Sequence, residues 1–128
     1  MDVARYAHGY DFNGNKLWTE DLVAATNSVH QDELYAFDGL NRLASIDRGD
    51  LTTNNTVIAS KAFGQTFGLD QLNNWPSFTE DPDGTGMSLL NQTRDHNAAN
   101  EIEEIDSTST FVAHDAAGNM TTIPKPDT

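Results

Sequence analysis

The sequence predicts an all-β fold made of consecutive strand-turn-strand hairpins laid side by side in an extended or curved antiparallel sheet. Three observations lead there. The block Tyr35-Ala36-Phe37-Asp38-Gly39-Leu40-Asn41-Arg42-Leu43 reads as strand, tight turn, strand, and four further blocks align with it on Asp11, Asp70, Asn97 and Asp115. Only Gly or Asn stands three residues after each anchor: Gly14, Asn41, Asn73, Asn100 and Gly118. Asn, Asp, Thr and Gly are abundant, which suits short strands and turns better than a helix bundle.

The recurring positions have a common physical sense. An Asp or Asn opens a turn because its short side chain accepts a backbone N–H two residues on. Two unconstrained residues follow, as a type I turn permits. Gly and Asn then enter the left-handed region at least cost. A type I turn followed by a left-handed residue is the three-residue hairpin loop with a G1 bulge. Five hairpin tips are therefore expected, near 11–15, 38–42, 70–74, 97–101 and 115–119, with anchors 27, 32, 27 and 18 residues apart. The chain of 128 residues is read as one segment of about five repeats.

Apolar residues recur five and eight positions after the anchor: Leu43 and Ile46, Trp75 and Phe78, Ile102 and Ile105, Met120 and Ile123. The first block has Lys16 and Thr19 there and offers Leu17 and Trp18 instead. A three-residue spacing puts two side chains on opposite faces of a regular strand. Either a bulge restores one face or both faces are covered.

Each element follows from this frame. Residues 4–10 alternate, with Tyr6, His8 and Tyr10 on one side, so a strand enters the first tip and leaves through Lys16–Thr19. Residues 20–32 are either a loop carrying a short helical turn or part of another strand. Tyr35 and Phe37 lead into the second tip, which exits through Leu43–Ile46, and 47–56 read as a polar connector with little to pack. Strands resume from Val57 and turn at Asp70. Pro76 donates nothing to a ladder, so the strand around Trp75–Phe78 is expected at an edge or bulged. Residues 80–86 form the strongest turn signal. Met87–Arg94 rebuilds a strand into the Asn97 tip, Glu101–Asp106 leaves it, Ser107–Thr110 turns back, and Phe111–Ile123 forms the last hairpin. Pro124-Lys125-Pro126 reads as a frayed tail.

The net charge of −13 argues against nucleic-acid binding and against anionic membrane surfaces. Cysteine is absent, which removes disulfides and thiolate metal sites. No apolar run reaches membrane-spanning length and no signal peptide opens the chain, so membrane insertion is not expected. Both ends look cut, and the sequence reads as a fragment of a longer repeat protein.

Tyr35-x-Phe37-Asp38-x-x-Asn41-Arg42-Leu43 and His114-Asp115-x-x-Gly118-Asn119-Met120 resemble the YD repeat of Rhs proteins. The stretch from Leu69 to Met120, with Asn74-Trp75 and Asn97-Ala98-Ala99-Asn100-Glu101-Ile102, is similar to the repeat region of that bacterial family. The resemblance covers nearly the whole chain. It implies hairpins that spiral into a hollow shell around a C-terminal toxin or effector, secreted or at the cell surface as part of a larger protein. Related repeats occur in insecticidal toxin complexes and in the adhesion proteins called teneurins. Leu69 and two His residues replace the aromatic before the anchor, and Asn97 replaces its Asp. No Asp-Pro-rich self-cleaving core and no distinct C-terminal domain is present, so neither self-proteolysis nor a toxin is carried over.

Other chemistry is weakly indicated. Asp81-Pro82-Asp83-Gly84-Thr85-Gly86 echoes the start of a calcium loop, but the twelfth position is Gln92 where a bidentate Glu belongs, and a plain turn is preferred. His8, His30, His96 and His114 form no metal-ligand spacing. Glu101, Glu103, Glu104 and Asp106 could pair carboxylates for glycoside chemistry, yet more simply form a solvated face. Tyr6, Tyr10, Trp18, Tyr35, Phe37, Phe63, Phe67, Trp75, Phe78 and Phe111 are expected to be packing anchors, with a sugar-binding stripe as the alternative. The expected role is scaffolding without catalysis, cofactor or metal. The expected partners are flanking repeats of the same polypeptide, an enclosed cargo, and edge-to-edge copies of the segment itself. An extracellular adhesion or carbohydrate-binding module is the second reading, and a carbohydrate-active enzyme the third.

Overall fold

A computed structural model describes residues 4–27, 29, 31–87, 90–106 and 112–123. The strands are β1 (Tyr6–Tyr10), β2 (Lys16–Asp21), β3 (Asp32–Phe37), β4 (Leu43–Leu51), β5 (Ile58–Gly68), β6 (Ser77–Asp81), β7 (Leu90–His96), β8 (Ile102–Ile105), β9 (Ala113–His114) and β10 (Met120–Thr122). The protein is all-β. Strands β1 to β8 form one antiparallel sheet in chain order, and β9 pairs with β10. The one helical element among the described residues is a 3-10 turn over Ala25–Asn27, inside the segment whose sequence left a turn or a strand open. Contacts divide the chain into two compact units, 1–67 with 79–90 and 68–78 with 91–128.

In the first unit the pairing answers the spacing puzzle. Phe37 pairs with Leu43 and Ala36 with Ser45, so Ala44 is an extra residue on the returning strand. Tyr35 then pairs with Ile46. Directly opposed residues share a face, so the bulge brings Leu43 and Ile46 onto the face of Tyr35 and Phe37. The first hairpin obeys the same geometry with different residues. Tyr10 pairs with Lys16 and His8 with Thr19, while Trp18 opposes Gly9 on the other face. A Cβ on Gly9 would lie 2.0 Å from the Trp18 indole, so this glycine makes room for the ring. In the second unit His96 pairs with Ile102 and Arg94 with Ile105, the same bulged step. Trp75 and Phe78 stack at 6.1 Å between ring centroids, as two rings on one face must.

Cross-strand rows run over the first unit. Thr19, Glu33, Arg48 and Phe63 succeed one another across β2 to β5. Arg48 meets Glu33 at 2.7 Å and lies 5.6 Å over the Phe63 ring. On the opposite face Trp18, Leu34, Asp47 and Gly64 form a row, with Lys61 at 2.7 Å from Asp47. Two-sided polar pairing explains why 47–56 misleads as a connector. Asp47 to Leu51 continue β4, because their polar side chains find cross-strand partners in a sheet wetted on both faces. The connector shrinks to 52–57.

The described aromatic residues do not form a buried core. Among the described residues Val112, 7% exposed, is the only buried apolar side chain, whereas Tyr6, Tyr10 and Trp75 are 54%, 60% and 40% exposed. Rings that no described element covers stack along their own strand, as Tyr6 and His8 do at 6.4 Å. The most buried groups of the first unit are polar: Thr19, Asp21 and Asp32. Asp32 accepts the backbone N–H groups of Asp21 at 2.9 Å and Leu51 at 3.0 Å, tying three strands together at the end away from the tips. Pro76 precedes β6, where a missing N–H costs no ladder bond, and its carbonyl accepts the Arg94 N–H at 2.9 Å. Of the two expectations, an edge or a bulge, the edge is corrected: β6 lies inside the strand order. Phe111, Ser107–Thr110 and Pro124–Pro126 lie outside the described residues.

Candidate functional site

The five tips are the most regular chemistry in the molecule. Each anchor N–H donates to the carbonyl four residues on: Asp11 to Asn15, Asp38 to Arg42, Asp70 to Asn74, Asn97 to Glu101, and Asp115 to Asn119, at 2.9–3.1 Å. The N–H groups of Gly14, Asn41, Asn73, Asn100 and Gly118 return to the anchor carbonyl. Their φ values are 87°, 61°, 68°, 64° and 82°. Each tip is thus a type I turn closed by a left-handed residue.

The anchor side chain stitches the loop shut. Its Oδ1 accepts two backbone N–H groups, from the second and fourth residues on, at 2.7–3.0 Å in every tip. In four tips Oδ2 also accepts a side-chain donor, from Asn15 at 2.8 Å, Arg42 at 2.7 Å, Asn74 at 2.9 Å and Asn119 at 3.0 Å. The Asn97 tip runs this last bond backwards. There the anchor is an amide, and its Nδ2 donates to Glu101 Oε2 at 2.7 Å. Donor and acceptor have changed places together.

These closing residues, Asn15, Arg42, Asn74, Glu101 and Asn119, escaped the sequence reading as site members. The signal was present: the residue four after an Asp is a donor, and the residue four after an Asn is an acceptor. Glu101 therefore belongs to a tip and not to an acidic face. Asp106 is likewise engaged, accepting the Thr93 N–H at 2.6 Å.

Within each unit successive tips touch. Asn13 and Asn15 both donate to Asn41 Oδ1, at 3.0 and 2.9 Å. In the second unit Asn74 donates to Asn100 Oδ1 at 3.1 Å. Where the closing residue is Glu101, the next tip has glycine at the receiving position, and a Cβ on Gly118 would stand 3.0 Å from Glu101 Oε1. A closing amide thus meets an Asn, and a closing carboxylate meets a Gly.

The hydrogen bonds hold the anchors ionised. Asp11, Asp70 and Asp115 lie below the ordinary carboxylate range chiefly through the side-chain amides of Asn15, Asn74 and Asn119. Asp38 does so chiefly through the Arg42 backbone N–H. On the sheet face, burial pushes Glu33 up, but the Tyr35 hydroxyl and Arg48 outweigh it and the net shift is downward. Burial, and then the Glu33 carboxylate that its hydroxyl contacts, push Tyr35 up to about 12. An open groove of about 360 Å³ lies beside this pair, lined by Tyr6, Thr19, Asp21, Gln31, Glu33 and Arg48. Much of its polar lining is already engaged: Thr19 with His8 at 3.2 Å, Asp21 with the N–H groups of Val23 and Ala24, and Glu33 with Arg48.

Asp81 and Asp83 serve their own loop. Asp81 Oδ2 accepts the Gly86 N–H at 2.9 Å and Asp83 Oδ1 the Thr85 N–H at 3.0 Å. Gln92 gives its oxygen to Arg94 at 2.8 Å. Among the described residues no group of three or more His, Asp or Glu is placed to hold a metal ion. His30 lies outside the described residues. No helix among the described residues is long and apolar enough to cross a membrane. No protein-family model matches the chain, and no curated protein matches it.

Proposed function

We propose that this chain is a structural repeat segment of an Rhs/YD-type shell, a scaffold that encloses or presents a toxin or effector and performs no turnover itself. One observation carries the proposal. All five tips spend their anchor side chains on closing the turn, and in three places a closing side chain meets the next tip. Such a row stacks hairpins that cannot stand alone. The scarcity of buried apolar side chains supports it further, because a single layer gains stability from neighbours in a larger assembly. A charge of −13 suits a basic cargo held without tight contacts. Such a protein acts in a secreted or cell-surface setting. Electron microscopy of the natural full-length polypeptide tests this. A hollow particle with a protease-resistant interior is expected; a solid or open particle with no protected segment overturns the proposal.

A carbohydrate-binding module is the second reading, favoured by the exposed Tyr6–His8–Tyr10 row beside the groove, stacked between Tyr6 and His8 and tilted between His8 and Tyr10. A glycan array with Tyr6→Ala as control decides it, and no glycan retained by the unmodified chain dismisses it.

A further inference from the structure

The outer side of β1 carries backbone groups that no described strand takes up. Leu22 donates to the Arg5 carbonyl at 2.9 Å, and the next pair is Tyr6 with Asp21. Antiparallel pairs alternate between bonded and non-bonded, so Ala7 and Gly9 face β2 while the N–H and C=O groups of Tyr6 and His8 point the other way. Beyond its bulge Tyr10 does the same, because Asp11 bonds to Asn15. No described strand lies on that side.

The tip beside this edge says which strand fits. Its receiving position is Gly14, φ 87°, with nothing within 4 Å of where a Cβ would stand. Elsewhere in the chain a receiving Asn faces a closing Asn, at Asn15–Asn41 and Asn74–Asn100, whereas the receiving Gly118 faces the closing Glu101. The reason is chemical. A closing amide has a donor to place and needs the acceptor of a receiving Asn, while a closing carboxylate has none to place and fills the space left by glycine. A closing Glu in turn requires an anchor that donates, as Asn97 does.

We infer that the open edge of β1 takes another strand-turn-strand hairpin whose tip has Asn as anchor and Glu four residues later. The inference rests on the scaffold proposal, since it takes the partner to be a further repeat. The pairing is β-augmentation: main-chain bonds to Tyr6, His8 and Tyr10 supply affinity, and the tip supplies selectivity.

The test titrates the full chain with synthetic hairpin peptides closed by a terminal disulfide, which the cysteine-free chain cannot exchange. One peptide copies residues 90–106, and its control carries Asn97→Asp with Glu101→Asn. The first should bind about three to ten times tighter, the range that one unplaced hydrogen bond accounts for. Tyr6→Pro, which removes an outward N–H that β2 does not use, should weaken both peptides while circular dichroism stays unchanged. Equal affinities, or no binding by either peptide, overturn the inference. So does self-association of the chain alone that Tyr6→Pro dissolves, because the edge would then belong to a second copy. Equal peptide affinities leave the shell proposal standing, whereas a solid particle would remove the shell and leave this edge intact.

Discussion

The strands are joined in two different ways. Five hairpin tips share one design, and the connectors between hairpins have no design in common. A 3-10 turn over Ala25–Asn27 joins β2 to β3, a tight turn around Asn55 at φ 57° joins β4 to β5, and a loop with two left-handed glycines, Gly84 and Gly86, follows β6. Both kinds of joint use side chains that bond their own backbone, as Asp21 and Asp81 do in the connectors. Only at the tips do the same positions make the same bonds from one turn to the next. Repetition is therefore enforced at the tips, and the connectors are free to vary.

Glycine substitutions break this comparison most sharply. A Cβ on Gly84 would stand 2.1 Å from the Lys61 carbonyl oxygen at φ 70°, against backbone that cannot step aside. Gly84→Ala should destabilise by about 2–4 kcal/mol, adding overpacking to left-handed strain. Gly14→Ala has the strain without the collision and should lose only about 1 kcal/mol. Denaturant midpoints of the two variants measure the difference. Equal losses would mean that the Gly84 loop is not held against β5.

Next in size is Asn41, at φ 61°. Asn41→Val should destabilise by about 1–2 kcal/mol or more, because a β-branched residue is strained there. Asn41→Gly should fold nearly as well, but it removes the acceptor of Asn13 and Asn15 and so loosens the first two tips relative to each other. Hydrogen exchange at those tips should rise for the glycine variant while its unfolding midpoint scarcely moves.

How far the sequence reached follows the same division. The tips could be read because their determinants lie within five residues: an Asx anchor, two free positions, and a residue able to take positive φ. The placement of Leu43 and Ile46 on one face could not be read, since the bulge at Ala44 is a property of two strands paired, not of one. Asp47–Leu51 read as a connector because polar residues normally signal a loop, whereas here they find partners across the sheet on both faces. The aromatic residues were expected to be packing anchors on the premise that rings seek a core. No described element covers Tyr6 and Tyr10, which stay half-exposed. The exchange of donor and acceptor between Asn97 and Glu101 was visible in the letters, but only when the two positions are read as a pair.

That pair permits a double-mutant cycle. Asn97→Asp sets a carboxylate against Glu101 Oε2 across 2.7 Å, and Glu101→Asn leaves two amides to face each other. Asn97→Asp should lose about 0.5–1 kcal/mol as a partly solvated like-charge contact. The double variant recreates the Asp–Asn pair of the first, third and fifth tips and should recover most of that loss. Simple addition of the two single effects would mean that the side chains close the tip independently.

The smallest effect is acid sensitivity, and it separates the tips by anchor. Asp11, Asp38, Asp70 and Asp115 each have a folded value lowered from the ordinary 3.8. A lowered folded value means that ionisation favours the closed tip. Its contribution is complete above the unfolded value, near 4, and is lost as pH falls through the lower folded value. Protonation puts a hydrogen on a carboxyl that accepts three donors in each of these tips. Asn97 has no proton to gain, so its two backbone N–H acceptances survive acid. Amide exchange followed from pH 6 to pH 2.5, corrected for the intrinsic rate, should therefore show protection falling at Leu40, Arg42, Leu72 and Asn74. Protection at Ala99 should hold to lower pH. A uniform loss across all five tips would show that acid acts on the sheet as a whole, and that the anchors are not its point of attack.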